Sequence, residues 1–326
     1  MTAPDLPAEL KAALDARLHG LSRNDAAQRA SAISQVYRSG GGSGAIRREA
    51  DALAYALARM PATYAAVTAS LNALRDVRAD FAPADLLDVG AGPGTASWAA
   101  AETFASLQSF TLLDANAALR RLALDLARGS DRLSAMCYDQ GDAGSKLADA
   151  PPADLVVASY VVNELHDAAR AALADLMWAK TRDTLLVIEP GTPAGTQRIL
   201  DLRRRLIAQG AHVLAPCPHD AECPLVAPDW CHFIQRLPRS RAHKQLKAAE
   251  LPYEDEKFIY VALSRAPVTQ RHARVLRQPE TTKVAVTAKL CTGRGIQIAV
   301  APRREKIAYA RLRKLNWGDT LFDSAE

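Results

Sequence analysis

The chain has 326 residues, 49% hydrophobic and 24% charged, which suits a core-forming globular protein and excludes a disordered one. No apolar run approaches the roughly 18 residues that a membrane helix needs, so no membrane association is expected. The net charge of +5 is unevenly placed. From Arg265 to Glu326 there are thirteen Lys/Arg against five Asp/Glu, while the first 264 residues carry 28 against 31. A second basic run, "RLPRSRAHKQLK", holds five Lys/Arg and a His. Two such runs favour nucleic acid as a partner over a merely solvated face. The opening "MTAPDLPAELKAALDARL" carries acids early and reads as neither signal nor transit peptide. A cytoplasmic location with reduced thiols is expected, and five cysteines, an odd number, argue against a disulfide framework.

In chain order, residues 1–80 read as helices. Ser22 is a plausible N-cap, and Ala26, Ala30, Ile33 and Tyr37 stand at helical spacing. "GGGSG" at 40–44 is a break, and Pro61 marks a kink or restart in the next helix. From Asp85 the pattern changes. "DLLDVG", "FTLLDAN", "LSAMCYD", "DLVVASYVV" and "TLLVIEP" read as strands. They alternate with the helices "TASWAAAETFASL", "AALRRLALDLARG", "DAARAALADLMWAK" and "TQRILDLRRRLIAQG". That alternation predicts a parallel sheet covered on both faces. "KFIYVALSR" is expected to close the same sheet. In the tail, "KVAVTAKLCTGRGIQIAVAP" alternates at period two around "TGRG" and predicts a hairpin, followed by a basic helix, "RREKIAYARLRKL". The expected organisation is a helical region at 1–80, an α/β domain at 81–265 with a cysteine-rich insertion at 211–250, and a basic extension at 266–326.

"LLDVGAGPGTASWAA" places Gly90, Gly92 and Gly94 between a strand and a helix. Glycines there permit positive φ and close approach of a ligand to the backbone. The spacing is not that of a dinucleotide site, and Asp88 would sit badly beside a pyrophosphate. An acid there suits a ligand with a cationic amino group, such as S-adenosylmethionine. Asp114, 22 residues after Gly92, stands where a carboxylate can bond both ribose hydroxyls. These features resemble class I S-adenosylmethionine-dependent methyltransferases with a Rossmann-like sheet, and Asp88, Gly90, Ala91, Gly92, Pro93, Gly94, Asp114 and Asn163 are the candidate cofactor residues. After the fourth strand, "ASYVVNELHD" lacks the Pro-Pro-aromatic motif of base-amino methylases. Asn163 and Glu164 are read as capping the next helix, and His166 as a surface helix residue. No acid–base pair stands out, and the catalytic residues stay unassigned.

"CPHDAECPLVAPDWCHF" crowds three cysteines into seventeen residues. The gaps of five and seven residues are looser than those of most structural zinc sites, although His219 and His232 could complete a Cys/His set. Cys217-Pro218 and Cys223-Pro224 resemble ferredoxin-type loops. Pro216-Cys217 resembles the Pro-Cys of cytosine C5 methylases, but comes a full helix too late. A fourth thiolate would be Cys137 or Cys291. Cys137 is expected inside a core strand as a small hydrophobe, and Cys291 at the tail hairpin.

Taken together, the glycine loop, "LLVIEPGTPAG", "APCPHDAECPL", "DWCHFIQRLPRSRAHKQLK", "KFIYVALSR" and "RKLNWGD" resemble the methyltransferase-like small-ribosomal-subunit protein family of mitochondria and bacteria. The resemblance runs from about residue 20 to the tail. It implies a role in small-subunit maturation and binding to ribosomal RNA. It also implies a 4Fe-4S cluster on Cys217, Cys223, Cys231 and Cys291. The expectation is therefore a cytoplasmic, bacterial assembly factor, monomeric when free. It would bind S-adenosylmethionine, the cluster, small-subunit rRNA and the immature small ribosomal subunit. Arg236, Arg239, Arg241, Lys244, Arg303, Arg304, Lys306, Arg311, Arg313 and Lys314 are the candidate phosphate contacts. The alternatives are an active S-adenosylmethionine-dependent rRNA methyltransferase and a zinc-stabilised RNA-binding protein.

Overall fold

The computed structural model describes residues 4–18, 22–38, 40–239, 244 and 250–321. The N-terminal helices are α1 (Ala8–Leu18), α2 (Arg23–Arg38) and α3 (Glu49–Val77). α3 runs on through Pro61, so the expected restart is absent. Its alanines present little bulk, and Ala52, Ala56, Met60, Val67, Leu71 and Leu74 are buried against the sheet layer. Asp51 accepts from the backbone N–H groups of Arg47 and Arg48 (3.2 and 3.0 Å) and so satisfies the helix start.

The α/β part alternates as the sequence predicts. Its elements are β1 (Asp85–Val89), α4 (Thr95–Thr103), β2 (Ser109–Asp114), α5 (Ala117–Ala127), β3 (Cys137–Gln140), α6 (Ala143–Asp149), β4 (Ala153–Ser159), α7 (Asp167–Lys180), β5 (Thr181–Pro190), α8 (Pro193–Ile207), β6 (His212–Ala215), β7 (Phe233–Pro238) and β8 (Tyr253–Ser264). The order across the sheet is β3-β2-β1-β4-β5-β8-β6. The first five are mutually parallel, and β8 runs antiparallel to β5. This is the class I methyltransferase sheet. β7 also pairs with β8, along its first half. Strands β1, β4 and β5 are buried on both faces, which explains their unbroken apolar runs.

A second, antiparallel sheet follows: β9 (Ala273–Val275), β10 (Glu280–Thr281), β11 (Ala285–Thr292), β12 (Gly295–Pro302) and β13 (Thr320–Leu321). β11 and β12 form the expected hairpin, with Thr292 paired to Gly295. Helix α9 (Lys306–Arg313) packs on it through Leu312.

Three local expectations change. β4 ends at Ser159 rather than running to Val162, because Tyr160 takes a left-handed φ of 58° that turns the chain out of the sheet. His166, not Asn163 or Glu164, caps α7: its Nδ1 accepts from the Ala169 N–H at 3.3 Å. Cys137 is exposed on edge strand β3, where its neighbour Tyr138 takes the inward position. The pleat gives alternate residues to opposite faces, so Cys137 is excluded from the core.

Leu186 is fully buried in β5 between β4 and β8. Leu186→Ala is expected to cost about 2–5 kcal/mol, read as a lower urea midpoint at unchanged slope.

Candidate functional site

Two cavities hold the residues that the sequence singles out. The first, about 880 Å³ out to its mouth, is built on the glycine loop. Gly90, Gly92 and Gly94 all have positive φ (70°, 55° and 79°), which other residues rarely adopt. Around Gly92 a Cβ would meet only Leu119, at 3.9 Å, so the backbone is open to a ligand there. At Gly90 the Val161 side chain already fills that space. Gly94 caps α4 and does not face the cavity, whereas Ala91 and Pro93 do. Tyr138 donates to the Gly92 carbonyl at 2.7 Å and braces the loop.

Asp114 lines this cavity. Its carboxylate accepts from the N–H groups of Gly92 (2.9 Å) and Asn116 (2.7 Å), and burial pushes its pKa up. Asp88 is placed differently from its expected part as partner of a ligand's cation. It is fully buried behind the loop and does not line the cavity. Its Oδ2 accepts from the Ser97 N–H (3.1 Å) and hydroxyl (2.8 Å). Ser97 lies in the first turn of α4, so Asp88 is a capping acid at the positive end of that helix. Its Oδ1 is buried without a partner, and burial raises its pKa to about 7. The carboxylates that do line the cavity are Asp114, Asp142 and Glu164. Glu164 accepts from the Ser43 N–H at 3.1 Å, and Asn116 donates to the carbonyls of Ser43 (2.8 Å) and Ile46 (2.9 Å). Together they pin the glycine-rich segment against the cavity wall. Asn163 lines a neighbouring cleft instead, with its N–H on Glu189 at 3.2 Å.

Tyr160 stands between the two clefts. Its hydroxyl donates to Glu256 (2.9 Å), which also pairs with Arg59 (3.2 Å). A bulky residue in the left-handed region is strained, and such strain gathers at functional sites. Neither Tyr160 nor Arg59 was singled out from the sequence; the departure from the proline motif after the fourth strand was the available signal.

The second cavity, about 510 Å³ out to its mouth, brings together Cys217, Cys223, Cys231 and Cys291. The first three come from the insertion and the fourth from β11. Burial raises the pKa of Cys217, raises that of Cys231 far more, and pushes Cys291 up to about 12. The neighbouring thiols oppose ionisation further, while Arg203 and Arg274 favour it. His219 reaches Cys291 through Nε2 at 3.7 Å and Ala221 O through Nδ1 at 3.1 Å. His232 is turned away from the thiols, stacked on Trp230 (5.2 Å) and met edge-on by Trp317 (4.8 Å). Trp317 also donates to the His232 carbonyl at 2.8 Å, so the tail clasps the segment that carries Cys231. Among the described residues no three Cys, His, Asp or Glu side chains close on a point that would hold one metal ion.

The basic residues divide. Arg236 is engaged by Asp255 through two 2.7 Å bonds and lies over Tyr253, and Arg239 is mostly buried beside Glu254. Arg236 stays exposed beside its partner, whereas Arg239 is held inside the chain. Arg241 lies outside the described residues, and Lys244 is partly exposed. Arg303, Arg304, Lys306, Arg311, Arg313 and Lys314 are all exposed on and before α9. Exposed Ile298, Val300 and Ile307 stand near them in sequence. No helix among the described residues is long and apolar enough to cross a membrane.

Residues 49–322 match the family model described as mitochondrial small ribosomal subunit Rsm22. The chain belongs to the Rsm22 family. Human "Ribosome assembly protein METTL17, mitochondrial" is 30% identical over 296 residues, covering 82% of this chain and 62% of that protein. "Rsm22-cox11 tandem protein 2, mitochondrial" of Schizosaccharomyces pombe is 25% identical, covering 82% and 42%. The chain thus spans less than two thirds of the length of these Rsm22-related proteins. Among solved structures, Synechocystis magnesium protoporphyrin IX methyltransferase with bound SAM is 11% identical with a TM-score of 0.41, covering 73% of this chain and 97% of that one. The N-methyltransferase NodS of Bradyrhizobium japonicum, with S-adenosyl-l-homocysteine, is 13% identical with a TM-score of 0.38, covering 59% and 83%.

The raised pKa of Asp88 has a defined sign. Folding favours its protonated form, so its contribution is complete below the ordinary carboxylate range and is lost as pH rises through about 7. Asp88→Asn removes this dependence. Between pH 4 and 7 the wild type is expected to lose stability relative to the variant, as measured by urea unfolding at stepped pH.

Proposed function

We propose that the chain is a small-subunit assembly factor. It binds S-adenosylmethionine in the glycine-loop cavity, holds a 4Fe-4S cluster on Cys217, Cys223, Cys231 and Cys291, and contacts small-subunit rRNA through its basic tail. The observation that carries this reading is the meeting of four thiols at one buried cavity in a chain of the Rsm22 family. The relatives' printed names supply the ribosomal role and place those proteins in mitochondria. The compartment proposed here is cytoplasmic, where thiols stay reduced.

The donor set fits a cluster. Four thiolates are the usual ligands of a 4Fe-4S centre. A lone zinc ion, with Zn–S near 2.3 Å, would need its donors drawn to one point, and the thiols here surround a cavity instead. The cluster would supply metal–thiolate bonds that join insertion to tail, and its binding energy would become folding energy. The protein's own contribution is to exclude water and to hold Cys231 and Cys291 from opposite sides. β11 would then present the hairpin, and with it the arginines and lysines before and along α9, in a fixed orientation. In the other cavity, Asp114 would accept from ribose hydroxyls, and Asp114 and Glu164 would face a sulfonium or ammonium group.

Anaerobically purified wild type is expected to contain about four irons and four sulfides per chain. Cys291→Ser should lose most of both and bind immature small subunits more weakly. Roughly one zinc per chain without sulfide would replace the cluster by the zinc-stabilised reading.

The strained Tyr160 beside the glycine loop favours a second reading, methyl transfer to the RNA. Label from S-adenosylmethionine should then enter immature small-subunit rRNA, and Asp114→Ala should abolish transfer while particle binding persists. No label above background, with S-adenosylmethionine still bound, would leave a cofactor-binding scaffold.

A further inference from the structure

Arg203 and Arg274 are among the most buried charges of the chain, at 4% and 2% exposure. Both line the thiol cavity, one from α8 and one from β9. Among the described residues neither meets a carboxylate. Arg203 donates to the carbonyls of His219 and Ala221, both at 2.7 Å, and bonds the Cys217 thiol. Its Nε is buried without a partner. Arg274 donates to the carbonyls of Pro216 (3.2 Å) and Gly318 (2.8 Å), and stands directly opposite Cys291 in the β9–β11 register.

A buried cation without an anion is among the costliest groups a fold can hold. Two of them on one cavity wall call for negative charge in that cavity. No carboxylate among the described residues lines that cavity to provide it. Carbonyl dipoles offset part of the cost and leave two net positive charges. A four-thiolate metal centre, net negative, completes the balance.

We propose that Arg203 and Arg274 are the counter-charges of the metal centre on these four cysteines, and that they set its reduction potential. This inference rests on the cluster reading above. The guanidiniums touch the protein around the ligands on both sides: Arg203 holds the loop between Cys217 and Cys223, and Arg274 holds the residue before Cys217 to the tail at Gly318. They act as positioning residues whose charge favours the more negative, one-electron-reduced state of the centre. Charge, hydrogen bonding and burial around a cluster are the levers that a protein has on its potential.

The test is an anaerobic dithionite titration of the full chain, followed by electron paramagnetic resonance, with iron and sulfide determined on the same samples. In it one electron passes from dithionite to the cluster. Arg274→Met and Arg203→Met are compared with wild type, Arg274→Lys and Arg203→Lys. The expected result is that each Met variant is at least tenfold harder to reduce, a midpoint about 59 mV lower for a one-electron couple, while the Lys variants stay near wild type. If a Met variant loses its iron, retention in the matching Lys variant supports the counter-charge, and loss in both overturns it in favour of a purely steric role. Met variants that keep iron, sulfide and the wild-type midpoint also overturn it, and leave the cluster standing. A wild type without iron and sulfide overturns the cluster reading itself, and this inference with it.

Discussion

Strand β8 is the constraint on which the rest of the molecule depends. It is twelve residues long and hydrogen-bonded on both edges: to β5 on one side, and to β7 and then β6 on the other. Its direction is opposite to that of the parallel strands, and this lets one strand serve both cavities. Near its start, Glu256 reaches the Arg59 and Tyr160 side chains beside the glycine loop. Its middle residues, Ile259, Tyr260 and Val261, line the thiol cavity. A shift of register by one residue would turn Glu256 to the other face of the sheet. The two sites therefore share the backbone of one strand.

Much of this was legible in the sequence, for physical reasons that differ by element. The long strands β1, β4 and β5 announce themselves as continuous apolar runs because helices cover both their faces. The glycines at 90, 92 and 94 were readable because the left-handed region excludes most other residues, and all three adopt it. Strands β6, β9, β10 and β13 were not seen, since two to four residues cannot show a period. Cys137 was misplaced because period two fixes which residues alternate but not which set faces inward on an edge strand. Arg203 left a trace that went unused. Ile199, Leu202 and Leu206 form the buried stripe of α8, and position 203 falls on that same stripe, so an arginine there is buried too. Arg274 left none, because β9 is three residues long.

The cavities differ in how they treat charge. At the glycine loop the chain offers carboxylates and polar backbone to whatever enters, with Asp114 and Glu164 at the wall and Asp88 kept behind as a helix cap. At the cysteines it offers soft donors and positive charge. The first presents polar and charged groups that suit a polar ligand. The second presents four thiols and two arginines among apolar side chains.

Cys291 lies sixty residues after Cys231. Synthesis proceeds from the N-terminus, so three thiols leave the ribosome well before the fourth. The complete donor set exists only in a chain translated through β11, and a product stopped earlier presents an open, three-thiol remnant. The order of the cysteines thus sets the earliest moment at which all four can meet: after β11 is made and before β12 and the basic residues that follow it.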